Sequence, residues 1–136
     1  MMHIRVVAAI IIDFKQKRIL ATQRGRGDYK GKWEFPGGKI EQDETVEQAL
    51  FREIKEELNL DIRILEFFQK VNYTYPEFRL EMDCYFVEIQ SGELILTEHL
   101  AYRWLNITQL KKVDWLPADI DLIDNLKNTP NLFSSL

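Results

Sequence analysis

The segment 38–60, GKIEQDETVEQALFREIKEELNL, constrains the fold most, because it predicts an amphipathic helix with an unusual arrangement of acids. Thr45 and Gln48 have the spacing of a capping box, which marks the start of the helix. Asn59, a residue tolerated in the left-handed conformation, marks its end. A helix advances roughly 100° per residue, so the apolar side chains gather on one face, which is expected to lie on the core.

The acids of this predicted helix flank its apolar face. On the same projection Glu53 and Glu56 lie beside the apolar arc, and Glu57 falls just inside it. Carboxylates three or four residues apart repel one another by about 0.2–0.5 kcal/mol per pair. Arg52 can pair with Glu56, but one guanidinium cannot satisfy three acids. The arc predicted to face the core contains Val46, Leu50, Phe51, Ile54 and Leu58.

Two interpretations of these acids are open. A run of charges is usually a solvated face, and Arg52 and Lys55 already supply a soluble side of the helix. A solvated face gives no reason to place Glu57 at the edge of the core. A hard divalent cation such as magnesium takes carboxylate oxygens as ligands and tolerates a cluster of them. We therefore favour a metal site.

The rest of the chain predicts one domain over residues 1–136, because this length with 46% apolar residues can bury a core without disulfides. The net charge of -4 argues against a nucleic-acid polymer as partner. Cys84, the one cysteine, lies in an apolar run and is expected to be a core thiol. The N-terminal apolar run 6–12 is too short to span a bilayer, so we expect a cytoplasmic protein without membrane contact.

The order of elements predicts an α/β or α+β fold with helices packed on a sheet. A last helix is expected over 120–127, with Asp119 as its N-cap. A basic, glycine-containing loop, 24–32, precedes a short strand that Pro36-Gly37-Gly38 ends. The predicted strands are 6–12, 19–22, 33–35, 62–75, 80–89 and 102–105.

The spacing within 38–60 resembles the signature of Nudix hydrolases. Asn59 stands where that family usually has glycine, and asparagine can adopt the same helix-ending conformation. Residues 33–41, Arg24 and residues 116–119 also resemble the MutT branch of the family, so the resemblance covers most of the chain. It implies the Nudix fold, an α/β/α sandwich with a mixed central β-sheet. The matching positions are Gly38, Glu44, Arg52, Glu53, Ile54, Glu56, Glu57 and Leu60.

The resemblance implies hydrolysis of a nucleoside triphosphate to a monophosphate and pyrophosphate, with magnesium as cofactor and manganese as its substitute. The MutT branch includes 8-oxo-dGTP diphosphatases and relatives of CTP pyrophosphohydrolase, which points to nucleotide-pool sanitation. Metal ions that bridge phosphates and orient water provide most of the help in such chemistry. The implied partner is a small nucleotide, and the chain is expected to be a monomer or homodimer. Two alternatives stay open: a Nudix hydrolase of another nucleoside diphosphate derivative, and a catalytically silent Nudix domain that senses a ligand.

The resemblance also assigns roles to the acids. Glu53 is a candidate to orient or deprotonate the water, and Glu98, in a predicted loop, matches an additional metal ligand or base. Arg52 and Glu44 are implied to be structural, Arg52 by pairing with the acids and orienting them. The implied metal ligands are Glu53, Glu56, Glu57 and the carbonyl of Gly37 or Gly38.

Asp119 is the most informative of the candidates for contact with the nucleotide. It is either a helix cap or, as the resemblance implies, the residue that reads the base. An ionised aspartate only accepts hydrogen bonds, which suits the amino group of cytosine or the N1 and N2 hydrogens of guanine. Phe35 and Tyr75 are candidates to stack on the base, with core packing as the alternative. Arg26 is expected to be merely solvated. The substrate-binding candidates are Arg24, Glu34, Phe35, Arg79 and Asp119.

Overall fold

The computed structural model describes residues 1–134 and shows a mixed β-sheet between two helices. Residues 135 and 136 of the expected domain lie outside the described residues. A 3₁₀ helix, Ile107–Lys112, precedes the second α-helix. The elements are β1 (Met2–Asp13), β2 (Arg18–Gln23), β3 (Trp33–Glu34), β4 (Gly37–Lys39), α1 (Val46–Leu58), β5 (Leu60–Thr74), β6 (Phe78–Gly92), β7 (Ala101–Leu105) and α2 (Pro117–Lys127).

Within residues 1–134 the strands form one sheet in the order β3-β2-β1-β6-β5, with β4 paired to β1 and β7 paired to β2. Strand β1 runs parallel to β6 and antiparallel to β2 and β4. The sheet is therefore mixed, which confirms the predicted fold class. In the part of the chain that the structure describes, no helix has the length and apolarity that a membrane crossing requires.

Strand β1 explains why the sheet is covered on both sides. Its side chains from 7 to 12 are all buried, as expected for a continuous apolar run of valine, alanine and isoleucine. Successive side chains point to opposite faces of a strand. Val7, Ala9 and Ile11 pack in one cluster with the apolar residues of α1. Ala8, Ile10 and Ile12 pack in a second cluster with those of α2, so the molecule is an α/β/α sandwich.

Helix α1 begins and ends where the sequence predicts. The Thr45 hydroxyl accepts a hydrogen bond from the Gln48 N–H, and the Gln48 side chain accepts one from the Thr45 N–H. Asn59 adopts the left-handed conformation, with φ 60° and ψ 33°. The prediction for Phe51 is wrong, because its side chain is 46% exposed. The buried face is turned instead toward Ala49 and includes an acid, since α1 also packs against β4.

The predicted start of α2 is wrong as well. The helix begins at Pro117, and proline is favoured at the first helical position because its missing N–H has no partner there anyway. Asp119 is not the N-cap; that position belongs to Leu116, which makes no side-chain capping bond. The hydroxyl of Tyr75 accepts the Ala118 N–H at 3.2 Å and so satisfies one of the free donors of the first turn.

The segment after Phe35 also differs from expectation. Gly37 and Gly38 do not simply end a strand but form β4, opposite Ala8 and Val7 of β1. A Cβ at Gly37 would collide with the carbonyl oxygen of Val7, so only glycine fits this close pairing. Cys84 is fully buried, as predicted for a core thiol.

Replacement of Thr45 by alanine should lower the free energy of unfolding by about 1 kcal/mol, because it removes the hydroxyl that caps α1. Urea denaturation with an unchanged m-value would measure the loss. Thr45→Ser keeps a capping oxygen and should stay close to the wild type. Equal losses in both variants would show that the methyl group, and not the cap, stabilises this end of the helix.

Candidate active site

A cleft of about 710 Å³ opens along the edge of β4, between α1, the loop 24–32 and the start of α2. This size falls within the range of small-molecule sites in proteins. One end of the cleft is lined by acids of α1, and the other end by aromatic side chains and Asp119. The two ends therefore differ in chemistry, as the two ends of a nucleotide do.

Arg52 holds the acidic end in place. Its guanidinium donates to Glu44 at 2.6 and 2.9 Å, to Glu53 at 2.8 Å and to Glu56 at 3.3 Å. It also donates to the carbonyl of Lys39 at 3.0 Å, which ties α1 to β4. Hydrogen bonds from Arg52 lower the pKa of Glu44 to about 2. The predicted pairing role of Arg52 thus agrees with its contacts.

Glu57 is buried in this region, with only 6% of its surface exposed. Its Oε1 accepts the N–H of Gly37 at 3.1 Å. Burial is the main cause that raises the pKa of Glu57 to about 9. The negative charges of Glu53, Glu34 and Glu98 raise it further. Helix projection predicts that Glu57 lies just inside the apolar arc, and the structure shows that its side chain is buried.

Gly38 makes room for the second acid of the cluster. A Cβ at Gly38 would collide with the carboxyl group of Glu53. The pKa of Glu53 is raised, chiefly by burial, although Arg52 opposes the shift. The backbone of β4 and the carboxylate of Glu53 therefore lie in direct contact, and a side chain at position 38 would displace that carboxylate.

The donor set suits a hard cation, because it consists of carboxylates that repel one another. Within residues 1–134 no three His, Cys, Asp or Glu side chains converge closely enough to hold a metal ion. Arg52 holds Glu53 and Glu56, while Gly37 holds Glu57. The acids thus have the chemistry and the excess charge of a cation site, and Arg52 occupies two of them in this conformation.

Glu98 lies in a loop and lines the cleft, as predicted. Its carboxylate is 3.5 Å from the guanidinium of Arg26, and both side chains are largely exposed. A Cβ at Gly25 would collide with the carbonyl oxygen of Glu98, so the two loops pack closely. Arg26 is 78% exposed, which agrees with the solvated role expected for it.

Asp119 lies at the other end of the cleft and is 3% exposed. Its Oδ1 has no hydrogen-bond partner among the described residues. Burial, followed by the charge of Glu34, raises the pKa of Asp119 well above its ordinary value, although Arg24 opposes the shift. The residue type alone predicts an ionised carboxylate, which only accepts hydrogen bonds. The environment instead favours the neutral carboxyl, which can donate as well as accept.

Aromatic side chains line the same cleft as Asp119. Phe35 packs on Trp115 with ring centroids 4.8 Å apart, and Tyr75 packs on Phe78 at 4.9 Å and on Tyr29 at 5.3 Å. Phe35 and Tyr75 are both buried and both line the cleft. Core packing and contact with a base are therefore compatible at these two positions.

The remaining substrate candidates fall in different places. Arg24 and Glu34 line the cleft and form an ion pair at 2.9 Å. Arg79 is exposed and is not among the residues that line the cleft. Its neighbours Phe78 and Leu80 do line it, and alternate residues of a strand point to opposite faces. The structure thus brings Arg24 and Glu34 to the site but not Arg79.

The cleft residues that the sequence did not indicate include Tyr29, Phe78 and His99. Tyr29 lies in the basic loop, where an aromatic residue among cations and glycines was the available signal. His99 follows Glu98 in a polar loop, and its sequence neighbours give no sign that the ring is buried.

Comparison with known proteins agrees with this geometry. A family model described as NUDIX domain matches residues 2–126. The 8-oxo-dGTP diphosphatase of Escherichia coli (strain K12) is 34% identical over 122 residues, which are 89% of this chain and 95% of that protein. The CTP pyrophosphohydrolase of the same strain is 35% identical over 124 residues, 91% of each chain. The solution structure of the E. coli ORF135 protein superposes with a TM-score of 0.79 at 33% identity, covering 96% of both chains. The chain belongs to the NUDIX domain family.

Proposed function

We propose that this chain is a divalent-metal-dependent pyrophosphohydrolase that cuts nucleoside triphosphates to a monophosphate and pyrophosphate. The observation that supports it best is Glu57, a buried carboxylate among other acids whose pKa is raised to about 9. Such a cluster destabilises the fold unless it serves a positive ligand. The family and the names of the relatives indicate the same class of enzyme.

Members of the family generally use divalent metals, and magnesium, with manganese as substitute, suits the carboxylates of this cleft. Glu53, Glu56 and Glu57, with a carbonyl of Gly37 or Gly38, would hold the metal. A bound metal supplies charge neutralisation for the phosphates and a template for the attacking water. The carboxyl group of Glu53, which lies close to Gly38, is proposed to accept a proton from that water.

Arg52 pairs with Glu53 and Glu56 and so offsets the repulsion between them. It donates to Glu44 through two nitrogens, so it stays anchored when Glu53 or Glu56 turns to another partner. Glu44 thus fixes the guanidinium, and the guanidinium orients the acids. Glu98, across the mouth of the cleft, is proposed as a further acid at the phosphate end, within reach of Arg26.

The identity of the relatives does not choose the base, since the 8-oxo-dGTP diphosphatase and the CTP pyrophosphohydrolase of E. coli are 34% and 35% identical to this chain. The base end of the cleft has to decide it. A neutral Asp119 offers one donor and one acceptor, which matches an edge with both, such as a guanine or oxidised guanine edge. An ionised Asp119 favours an edge rich in donors, such as the amino group of cytosine.

Sanitation of the nucleotide pool by removal of oxidised guanine or modified cytosine nucleotides is the role that this chemistry suits. Several expectations from the sequence stay predictions: one domain over 1–136, a monomer or homodimer, a cytoplasmic location and no binding of nucleic-acid polymers. The alternatives, a hydrolase of another diphosphate derivative or a silent sensor, are separated by the activity tests that follow.

Replacement of Glu53 by glutamine should lower the turnover number for pyrophosphate release by about 100-fold or more, because the amide cannot accept a proton. Circular dichroism should show an intact fold. Glu47→Gln is the matched control, since Glu47 is an exposed acid on the same helix. Near-normal metal-dependent activity of the Glu53 variant would contradict the assignment, and a wild type that binds nucleotides without hydrolysing any would indicate a sensor.

Asp119 should give base selectivity a pH dependence. The raised pKa means that the neutral carboxyl stabilises the fold at low pH, and that this contribution is lost as pH rises through the folded value. Asp119→Asn keeps a donor and an acceptor at all pH values. The variant should therefore gain stability relative to the wild type as pH rises, and its ranking of 8-oxo-dGTP against CTP should not change with pH.

Asp119→Ala removes both groups and should lower kcat/KM for the preferred nucleotide by about tenfold, the effect of about 1.4 kcal/mol. Pyrophosphate release from both triphosphates between pH 6 and pH 9 measures the ranking. A wild type whose ranking is constant over that range, together with an unaffected alanine variant, would remove Asp119 from base recognition.

A further inference from the structure

His99 lies between two carboxylates at the floor of the cleft. Its Nε2 is 3.4 Å from Oε2 of Glu34 and 3.5 Å from Oε2 of Glu57. The side chain is only 4% exposed, so almost none of the ring is open to solvent. Of the two described histidines, His99 is therefore the one that faces the acidic cluster, since His3 is exposed on β1.

The main chain fixes the position of this ring from two sides. The N–H of Thr97 donates to the carbonyl of Glu57 at 3.1 Å, and its hydroxyl donates to the carbonyl of Glu56 at 2.8 Å. On the other side, the N–H of Leu100 donates to the carbonyl of Gln23 at 2.9 Å. The loop is thus tied to the end of α1 and to β2. His99 lies between the two ties, so its placement does not depend on the ring itself.

Stability of the fold does not explain the burial of the ring. Nδ1 of His99 is buried without a hydrogen-bond partner among the described residues, and such an atom costs free energy. A buried polar group with an unpaired atom in a native structure calls for a reason, and one reason is a functional site. Because carboxylate oxygens accept hydrogen bonds, the two carboxylates beside Nε2 favour a hydrogen on that atom.

Both oxygens of Glu57 then have a neighbour that can donate. Oε1 accepts the N–H of Gly37, and Oε2 faces Nε2 of His99. Glu34 is held in the same way, because Arg24 donates to its Oε1 and His99 faces its Oε2. Each carboxylate thus has a group able to donate near both of its oxygens, and carboxylate oxygens retain free lone pairs for a further ligand.

We infer that His99 is a positioning residue: its Nε2–H fixes the carboxylate of Glu57, and through it the affinity of the site for a divalent cation. This inference rests on the proposed function. Partners that orient metal-binding groups typically change metal affinity or activity by about 10- to 100-fold when they are removed. In this role His99 contacts neither the nucleotide nor the water and acts only through Glu57.

The chain allows a matched pair of variants. Glutamine can place an amide N–H near the position of Nε2, whereas asparagine reaches only the position of Nδ1. His99→Gln should therefore keep the donor that faces Glu57, and His99→Asn should lose it while staying polar. His3→Asn on β1 controls for loss of a histidine elsewhere. Titration of manganese alone into the nucleotide-free protein, followed by calorimetry, measures the site without reference to catalysis.

His99→Asn should weaken manganese binding by about 10- to 100-fold and raise the magnesium concentration needed for half-maximal activity by a similar factor. Its KM for the nucleotide at saturating metal should stay near that of the wild type. His99→Gln should recover most of the lost affinity. Melting temperatures identify a variant that fails to fold, and His99→Leu then replaces the asparagine variant in the same comparison.

Equal behaviour of the glutamine and asparagine variants, whether both bind manganese normally or both bind it poorly, would overturn the role of the Nε2 donor. Normal manganese binding by His99→Asn alone would do the same. A wild type that releases no pyrophosphate from any triphosphate would contradict the proposed function, while the manganese titrations would still decide the role of His99.

Discussion

The buried carboxylate of Glu57 is the constraint on which the rest of the site depends. It lies on the core-facing side of α1, where an apolar side chain would stabilise the fold more. The N–H of Gly37 contacts it from β4, and that contact requires the backbone of β4 to approach α1 closely. Gly37 and Gly38 permit the approach, because any side chain there would collide with β1 or with Glu53. The glycines, the strand and the acid therefore form one unit.

Charged side chains surround this unit on two sides. Toward the solvent, Arg52 pairs with Glu44, Glu53 and Glu56 and so offsets the repulsion among them. Toward the base pocket, His99 lies between Glu57 and Glu34. The charge of Glu34 in turn raises the pKa of Asp119. The protonation of the residue proposed to read the base thus depends in part on an acid that borders the metal end. Both ends of the cleft belong to one charge network.

Sequence predicted the parts of this arrangement that depend on neighbours in the chain. The capping box at Thr45, the left-handed Asn59 and the two-sided burial of β1 are local patterns, and each is confirmed. The predictions for the burial of Phe51 and for the start of α2 are wrong, because both features depend on contacts with distant segments. The rotation of α1 is set by β4, and the cap of α2 comes from the hydroxyl of Tyr75, 43 residues away from Ala118. The burial of His99 likewise follows from loop packing that no local pattern encodes.

The same distinction holds for the chemistry of the site. The clustering of the acids on α1 could be predicted from their spacing. The pKa of Glu57 could not, since it depends on burial and on Glu34 and Glu98 from other segments. Asp119 shows the consequence most clearly. Its residue type suggests an acceptor, whereas burial raises its pKa and so favours the neutral carboxyl, which can also donate.

Thermal unfolding of the wild type and of Glu57→Gln, with and without magnesium, tests whether the acids of α1 are held for a cation. Because the pKa of Glu57 is raised from 4.5 to about 9 in the fold, its contribution to stability is lost as pH rises between those values. At pH 8 in chelator the glutamine variant should melt at a higher temperature than the wild type. Magnesium should raise the melting temperature of the wild type and have little effect on the variant. A wild type that is already the more stable protein in chelator, or that does not respond to the metal, would contradict a cluster of acids held for a cation.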